Sequence, residues 1–525
     1  MIRTNNDLYE WQVTLLLDDA PSLEDEVLLN RIEDIAELAF HSGPELLADP
    51  RLDRLLIEMA RRIQPLPSTP SAPLAHRPRR VLHVTTDLHH VGGHTRIILN
   101  WIQADRETHY DLVSTNQLGH ITEWMRETLA AAGCELICMK PEQTRLDRAR
   151  QLRERVMHEG YDLVVLHHYP WDTVALTALG VEGLPQVFIF NQGDHVYWLG
   201  VPLADAVLDF RPRGAEVSVR VRGAARSLHL PYVLEPQPAE PARAVAREQA
   251  GLTGWQTVMV SMARIQKFVP CKAYNLHRTL APVMRRHPKA VLLLIGVTMA
   301  EYLALFGEVP PPNVKPLGNI SQPTILLRAA DVFIEPMPWG TALATFDACR
   351  YGVVPIFVYG LAPCIYGCAV RDLFTGSGME QATESEAEYV TLLERLLIDA
   401  DHRSEQGRKV AAFCEGTFQA PQWNEHLERV YAAAVGGRHL VREPGTVYYE
   451  RSAAFKNYGN ALSEDLAAHI SWCMNRLGAV RPVAALRLGI AFLMLRIAVP
   501  RITGMRTLLR FLVASFRRGC IRFVR

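Results

Sequence analysis

The sequence lacks long hydrophobic runs. No stretch of about 18 apolar residues, the length that crosses a bilayer as a helix, occurs in its 525 residues. The first residues, MIRTNNDLYEWQ, contain neither the basic start nor the apolar segment of an export signal. We therefore predict a protein that does not span a membrane, is not exported and works in the cytoplasm.

An excess of charge of either sign is also absent. Lys and Arg total 56, and Asp and Glu total 56. This balance gives no overall attraction to nucleic acid, so no nucleic-acid partner is predicted. Cysteine is scattered: nine residues, an odd number without CxxC spacing, are typical of reduced thiols rather than of a disulfide framework or a zinc site.

Length and composition indicate several globular domains. A chain of 525 residues exceeds what one hydrophobic core usually supports, and 49% hydrophobic with 21% charged residues is ordinary for globular proteins. Changes in composition along the chain divide it into six parts. We predict a helical N-terminal segment (1–64), a Pro- and Ser-rich linker (65–79), a first α/β domain (80–235), a second linker (236–253), a second α/β domain (254–435) and a helical, basic C-terminal extension (436–525).

The two central parts alternate short apolar runs with helical segments. This order is typical of mostly parallel sheets covered by helices, so the fold class predicted is α/β with two Rossmann-like domains facing a cleft. Loops after the carboxyl ends of such strands commonly hold ligands. The predicted strands are residues 81–85, 111–115, 135–139, 162–168 and 186–191 in the first domain, and 258–261, 290–296, 332–334 and 353–358 in the second.

The stretch at 331–360, DVFIEPMPWGTALATFDACRYGVVPIFVYG, has the pattern of strand, loop, helix and strand. Free N–H groups and the dipole at the start of such a helix favour a phosphate. Gly340, Thr341 and Thr345 lie there, and we predict that they contact a nucleotide. Asp347 follows inside the helix, where Asp has poor helix propensity, which favours a role in binding a ribose hydroxyl.

Other candidate residues follow predicted strands. Arg264 and Lys267 come directly after the strand at 258–261, where cations would neutralise a diphosphate. A solvated loop is the alternative for these two. Gly92 and Gly93 follow the first predicted strand and precede a helix, which is how a Rossmann-like unit begins.

Two strand ends of the first domain carry histidines. One is HHYPWD, which starts at His167, and the other is NQGDHVYWLG, where His195 follows Asp194. Histidine suits a general base or an imidazole that hydrogen-bonds a phosphate, and a structural hydrogen-bonded ring is the alternative. The adjacent pair His167 and His168 lacks the spacing and the acidic partner of a zinc site. We select His195 as the candidate catalytic residue.

These motifs resemble the GT-B glycosyltransferases. In the second domain of that fold, a helix with an acidic residue is followed by a Gly and a Pro that lead into a strand, matched here by Asp347, Gly352 and Pro355. The loop PMPWG (336–340) is similar to that of bacterial adhesin-modifying glycosyltransferases and, more distantly, of O-GlcNAc transferase. Family 4 enzymes have Glu where Trp339 stands here, so their retaining stereochemistry is not carried over.

The resemblance implies roles for individual residues. Lys267, three residues before Pro270, matches a KxxP lysine that contacts the nucleotide diphosphate, and is preferred to Lys272 for this reason. We assign Lys267 to the catalytic residues together with His195. The other matches are a glycine loop after the first strand, the Arg that follows it and a Leu-Gly turn beside the nucleotide base: Gly92, Gly93, Arg96 and Gly318.

The function implied by the resemblance, which spans residues 80–435, is transfer of a sugar from a nucleotide-activated donor, UDP-linked, to a protein, lipid carrier or polysaccharide acceptor. The donor would bind mainly the second domain and the acceptor the first. No DxD-type motif stands at a strand end, so we expect no metal or other cofactor; Lys267, Arg264 and helix N-termini would offset the diphosphate charge. Two alternatives remain: a non-catalytic nucleotide-sugar-binding scaffold at the membrane, and a sugar-nucleotide epimerase.

The C-terminal extension is basic and amphipathic. From Leu466 onward it contains eleven arginines, no lysine and no acidic residue, with long apolar residues between them. Such segments bind anionic membrane surfaces, which predicts peripheral association with the inner face of the membrane through residues 466–525. A helical extension packed on the protein is the alternative, and RNA binding is disfavoured because few aromatic residues are suited to stacking.

Overall fold

The computed structural model describes residues 5–42, 46–68, 72–89, 93–194, 196–234, 241–270, 274–337, 340–358, 370–381 and 385–446. In this part of the chain the α/β architecture is confirmed, with one parallel sheet of seven strands and one of five. The predictions for Gly92, His195 and the basic extension from Leu466 onward lie outside the described residues.

Three helices precede the first sheet: α1 (Asn5–Asp19), α2 (Asp25–Ser42) and α3 (Pro50–Arg62). The start of α3 follows from its sequence, because the Asp49 carboxylate accepts the N–H of Arg51 at 2.9 Å and Pro50 occupies the first turn. Leu52, Leu56 and Met59 lie on the buried face of α3. All three helices share one hydrophobic core with the helices and strands of the first α/β domain, so the N-terminal segment is packed on that domain.

Asp53 of α3 is expected to make the stability of the protein depend on pH. Burial raises the pKa of Asp53 to about 8; the Gly200 N–H opposes this shift and the Asp49 carboxylate adds to it. The folded state therefore holds this proton more tightly than the unfolded state, whose pKa is about 4, so the contribution of Asp53 to the free energy of unfolding falls from about pH 4 to pH 8 and is lost above.

We expect Asp53→Asn to remove this contribution, so its melting temperature should fall less than that of the wild type between about pH 5 and pH 8. A change of 1 kcal/mol moves the melting temperature of a large domain by about 2–4 °C, which thermal unfolding resolves. Parallel pH profiles for the two proteins would contradict the expectation.

The first α/β domain contains a seven-stranded sheet in the order β3-β2-β1-β4-β5-β6-β7. Its five inner strands are largely buried, as expected for a parallel sheet covered on both faces, whereas the edge strands β3 and β7 are partly exposed. Its elements are β1 (Arg80–Thr85), α4 (Gly93–Ala104), β2 (His109–Ser114), α5 (Glu123–Ala131), β3 (Glu135–Cys138), α6 (Arg145–His158), β4 (Leu163–His167), α7 (Thr173–Leu179), β5 (Gln186–Phe190), β6 (Ala206–Asp209), α8 (Pro212–Glu216) and β7 (Ser227–His229).

The second α/β domain contains a five-stranded sheet in the order β10-β9-β8-β11-β12. Helix α9 lies within the segment predicted as a linker, and its Ala246 is buried in the core of this domain. The elements are α9 (Arg243–Gln249), β8 (Thr257–Met262), α10 (Leu276–Arg286), β9 (Ala290–Ile295), α11 (Met299–Phe306), β10 (Val314–Gly318), α12 (Thr324–Ala329), β11 (Val332–Ile334), α13 (Ala342–Cys349), β12 (Val354–Ile356), α14 (Glu386–Ile398), α15 (Ala400–Phe418) and α16 (Gln422–Ala434).

Helix α16 returns the chain to the first domain. Its Trp423 indole N–H donates to the Pro231 carbonyl at 2.7 Å, and the Tyr431 hydroxyl lies 2.8 Å from that of Tyr110. Beyond the helix, the buried His439 ring contacts the Asp205 carboxylate at 2.8 Å. The two sheets are thus joined by α16 as well as by the connection before α9, and the space between their carboxyl edges is the candidate site.

Candidate functional site

The two domains meet where the N-terminus of α4 faces α13. Gly93 begins α4, and a Cβ atom at this position would lie 2.8 Å from Cδ1 of Leu343 in α13. Behind this contact, the ring centroids of Tyr232 and Phe346 are 6.1 Å apart across the domain boundary. The absence of a side chain at Gly93 therefore lets the loop after β1 approach the helix predicted to bind the nucleotide.

Lys267 lies at the start of α13. It belongs to a short 3-10 helix (Ile265–Phe268) that follows β8, and its Nζ donates to the Gly340 carbonyl at 2.5 Å. Gly340 precedes Thr341, the N-cap residue of α13, whose side chain makes no capping hydrogen bond. A cation next to a helix N-terminus that no side chain caps favours an anion there. The structure thus brings together Lys267, Gly340 and the first turn of α13.

Thr341 and Thr345 are turned inward. The Thr345 hydroxyl donates to the Thr341 carbonyl, and the two hydroxyl oxygens are 3.3 Å apart. Both residues are buried. Their observed contacts hold the first turn of α13 together, and direct contact with a ligand stays a prediction for both.

Arg96 and Asp347 are joined across the domain boundary. Nη1 and Nη2 of Arg96 donate to the two carboxylate oxygens of Asp347 at 2.7 and 3.1 Å, and the Arg350 guanidinium is 4.0 Å from the same carboxylate. The side chains of Arg96 and Asp347 are 30% and 13% exposed. Arg96 and Asp347, each predicted to contact the nucleotide, thus form one bidentate ion pair. A nucleotide that binds Asp347 would have to share its carboxylate with Arg96 or break the ion pair.

Arg264 and Gly318 lie at the carboxyl edge of the second sheet. Arg264 is exposed. Burial raises the pKa of Tyr169 in the first domain, and the charge of Arg264 opposes this shift, so Arg264 faces the first domain. Gly318 has φ +68° and its N–H donates to the Val297 carbonyl at 2.8 Å.

Gly296 was missed by sequence reasoning: at φ +90°, a Cβ there would lie 2.2 Å from the Ala263 carbonyl, directly beside Arg264. Its only signal was a glycine at the end of a strand.

His94 is a second residue that sequence reasoning missed. Its Nδ1 contacts Oε1 of Gln192, and its Nε2 lies 2.7 Å from the Thr85 hydroxyl. The Gln192 amide nitrogen donates to the His167 carbonyl at 3.2 Å, which leaves Oε1 as an acceptor. His94 therefore carries its proton on Nδ1 and accepts from Thr85 through Nε2. Burial lowers its pKa to about 4. The sequence feature that could have identified His94 is its position directly after the glycine pair Gly92 and Gly93.

His167 and His168 do not fit a general base. Nε2 of His167 lies 2.8 Å from Nδ1 of His83, and both rings pack beside Trp101 in the core. Burial lowers the pKa of His167 well below its ordinary value and that of His168 to about 4. A pKa so far below neutral pH makes both rings weak bases. The hydrogen bond between His167 and His83 fits the structural alternative for His167.

The loop around position 195 is fixed from both sides. Arg211 donates to both carboxylate oxygens of Asp194, one at 2.7 Å, and its Nη1 reaches Asp372 of the second domain at 3.3 Å. Arg222 donates to the carbonyls of Asp194 and Val196 at 3.0 and 2.5 Å. His195 itself lies outside the described residues, so its catalytic role stays a prediction.

Among the residues that the structure describes, no helix is long and apolar enough to cross a membrane. Within the same ranges, no group of three or more His, Cys, Asp or Glu side chains is arranged to hold a metal ion.

No protein-family model and no curated protein sequence matches this chain. Solved structures do match. A mutant of the O-GlcNAc transferase from Thermobaculum terrenum aligns with a TM-score of 0.53 and 19% identity, over 82% of this chain and 81% of its own. HepE from Anabaena, in complex with UDP and glucose, aligns with a TM-score of 0.51 and 12% identity, over 68% of this chain and all of its own. A glycosyltransferase from Rickettsia africae gives 0.52 and 9%, over 68% and 98%.

The chain has a GT-B fold. The resemblance drawn from its sequence motifs is confirmed at the level of the fold, including the likeness to O-GlcNAc transferase. Because the identities are 9–19%, the likeness shows the fold, while donor, acceptor and residue roles have to be argued from this chain's own site.

Proposed function

We propose that this protein is a glycosyltransferase that moves a sugar from a UDP-linked donor to an acceptor that is a protein, a lipid carrier or a polysaccharide. The observation that carries the proposal is the position of Lys267 at the first turn of α13, with Arg264 on the same edge of the sheet. A cation beside a helix N-terminus, with a second cation on the same edge of the sheet, would offset the charge that develops on a departing diphosphate. The UDP in the HepE structure supports the choice of nucleotide.

In this proposal the two domains divide the work. The second domain binds the nucleotide through Lys267, Arg264 and Asp347, and the first domain presents the acceptor at the carboxyl edge of its sheet, where His94 and Gln192 lie. No divalent cation takes part, since the protein's own cations face the diphosphate position. The expected localisation is the cytoplasm.

The proposal is tested with a thermal-shift screen of nucleotide sugars, followed by an assay of nucleotide release from each sugar that stabilises the protein. Stabilisation by UDP-sugars with release of UDP is expected, and EDTA should leave the release unchanged. Binding without release would favour the non-catalytic scaffold, and conversion of the sugar nucleotide without release would identify an epimerase.

We also propose that residues 466–525 bind an anionic membrane surface. Arginines without compensating carboxylates are each attracted to acidic headgroups by about 1 kcal/mol, and this attraction is screened by salt. The full chain should sediment with liposomes that contain acidic lipids, dissociate as salt is raised, and lose this binding when truncated after residue 465. Donor hydrolysis should persist in the truncated protein. A truncated protein that unfolds or changes its oligomeric state, while the full chain ignores liposomes, would identify a packing element instead.

A further inference from the structure

The N-terminal helices contact the connection between β5 and β6. The backbone N–H of Trp198 donates to the Leu47 carbonyl at 2.9 Å, and the backbone N–H of Gly200 donates to Oδ1 of Asp53 at 2.7 Å. Asp53 and Gly200 are both buried, so water cannot replace that bond. The helices therefore satisfy two backbone groups of a loop that belongs to the first α/β domain.

Two more contacts strengthen this attachment. The Tyr9 hydroxyl of α1 donates to the Asp49 carboxylate at 2.9 Å and lies 3.3 Å from the Tyr197 hydroxyl. The Arg222 guanidinium donates to the Leu47 carbonyl at 3.3 Å and also to the Val196 carbonyl at 2.5 Å. The segment 196–200 is thus held by α1, by α3 and by Leu47, which lies between α2 and α3.

The same connection begins in the cleft. Gln192 follows β5 and fixes His94 through its amide oxygen, while its amide nitrogen is bound to the His167 carbonyl. The Trp198 indole N–H donates to the Gly193 carbonyl at 2.9 Å, and the Arg222 guanidinium donates to the carbonyls of Gly193 and Asp194 at 3.3 and 3.0 Å. A displacement of Trp198 or Arg222 would therefore be transmitted to Gly193, the residue next to Gln192.

We infer that Asp53 and Tyr9 are positioning residues that hold the β5–β6 connection and, through Gln192, the His94 side of the cleft. This inference rests on the proposed function for its consequence in turnover. The N-terminal helices are then part of the acceptor half of the active site.

The test uses the full chain with four variants. Asp53→Ala leaves the Gly200 N–H without its acceptor, Asp53→Asn keeps an acceptor oxygen, and Tyr9→Phe removes only a hydroxyl; Glu58→Ala, on the exposed face of the same helix, is the matched control. Hydrogen exchange of the peptide covering residues 196–203 is measured together with kcat and KM for UDP-sugar hydrolysis. We expect Asp53→Ala to speed exchange and to lower kcat about fivefold at an unchanged KM, with Asp53→Asn close to wild type.

The outcomes distinguish a failure of this inference from a failure of the proposed glycosyltransferase function. Unchanged exchange in Asp53→Ala overturns the inference, and so does faster exchange with normal kcat, or a change in KM alone. Should Asp53→Ala not fold, Tyr9→Phe carries the same test with a smaller change. A wild type that releases no nucleotide from any UDP-sugar refutes the proposed function, while the exchange data still decide whether the helices hold the loop.

Discussion

Lys267→Ala is expected to lower donor affinity or turnover by about tenfold to a hundredfold. A hydrogen bond from a charged group contributes about 1.5–3 kcal/mol, which corresponds to that range. The Nζ of Lys267 contacts the Gly340 carbonyl at the start of α13, so its removal takes a cation from the position proposed for the diphosphate. UDP binding by calorimetry and nucleotide release from the UDP-sugar measure the two effects separately.

The fold should survive this substitution, because the ammonium of Lys267 satisfies a loop carbonyl and does not fill a core. Lys289→Ala is the matched control: Lys289 is exposed and precedes β9, at the opposite edge of the sheet from the site. Full activity in Lys267→Ala, or an equal loss in Lys289→Ala, would end the assignment.

The strands that the sequence predicted are those with the strongest apolar pattern. The runs at 81–85, 290–296 and 332–334 match β1, β9 and β11 to within one residue at either end. Three strands were not predicted. β6 (AVLD) and β7 (SLH) are short and contain polar residues, so neither is an all-apolar run like the three-residue β11 (VFI). β10 is an edge strand that contains Lys315 and Pro316, residues that natural edge strands tolerate.

Helix α1 lies within the segment 1–64 that was predicted to be helical, although its own apolar pattern is weak. Its buried residues Tyr9, Val13 and Leu16 follow helical spacing, but Trp11, Leu15 and Leu17 interrupt the polar face and weaken the periodicity. Tertiary packing on the first domain stabilises this helix, and packing partners cannot be inferred from a local pattern.

The partners of the candidate residues could not be predicted either. The sequence identified Arg96 and Asp347 from motifs that lie 251 residues apart, but their ion pair depends on how the two domains face each other. His94 was overlooked because its role depends on Gln192, which arrives from another strand end. Local sequence thus located the loops of the site, and the relative placement of the loops required the structure.

Asp347→Ala is expected to weaken UDP binding by about tenfold to a hundredfold, because a carboxylate that accepts a ribose hydroxyl makes a charged hydrogen bond of about 1.5–3 kcal/mol. Asp347→Asn should lose less, since its amide oxygen still accepts. Calorimetry with UDP measures both losses.

Arg96→Ala is the control that the structure supplies. Both Arg96→Ala and Asp347→Ala break the same ion pair between the domains, at 2.7 and 3.1 Å, so their melting temperatures should fall by similar amounts. Only Asp347→Ala removes the proposed ribose acceptor, so it should lose more affinity for UDP than Arg96→Ala does. Equal losses would assign the effect to the ion pair, and unchanged binding in both Asp347 variants would make Asp347 a structural residue that holds α4 against α13.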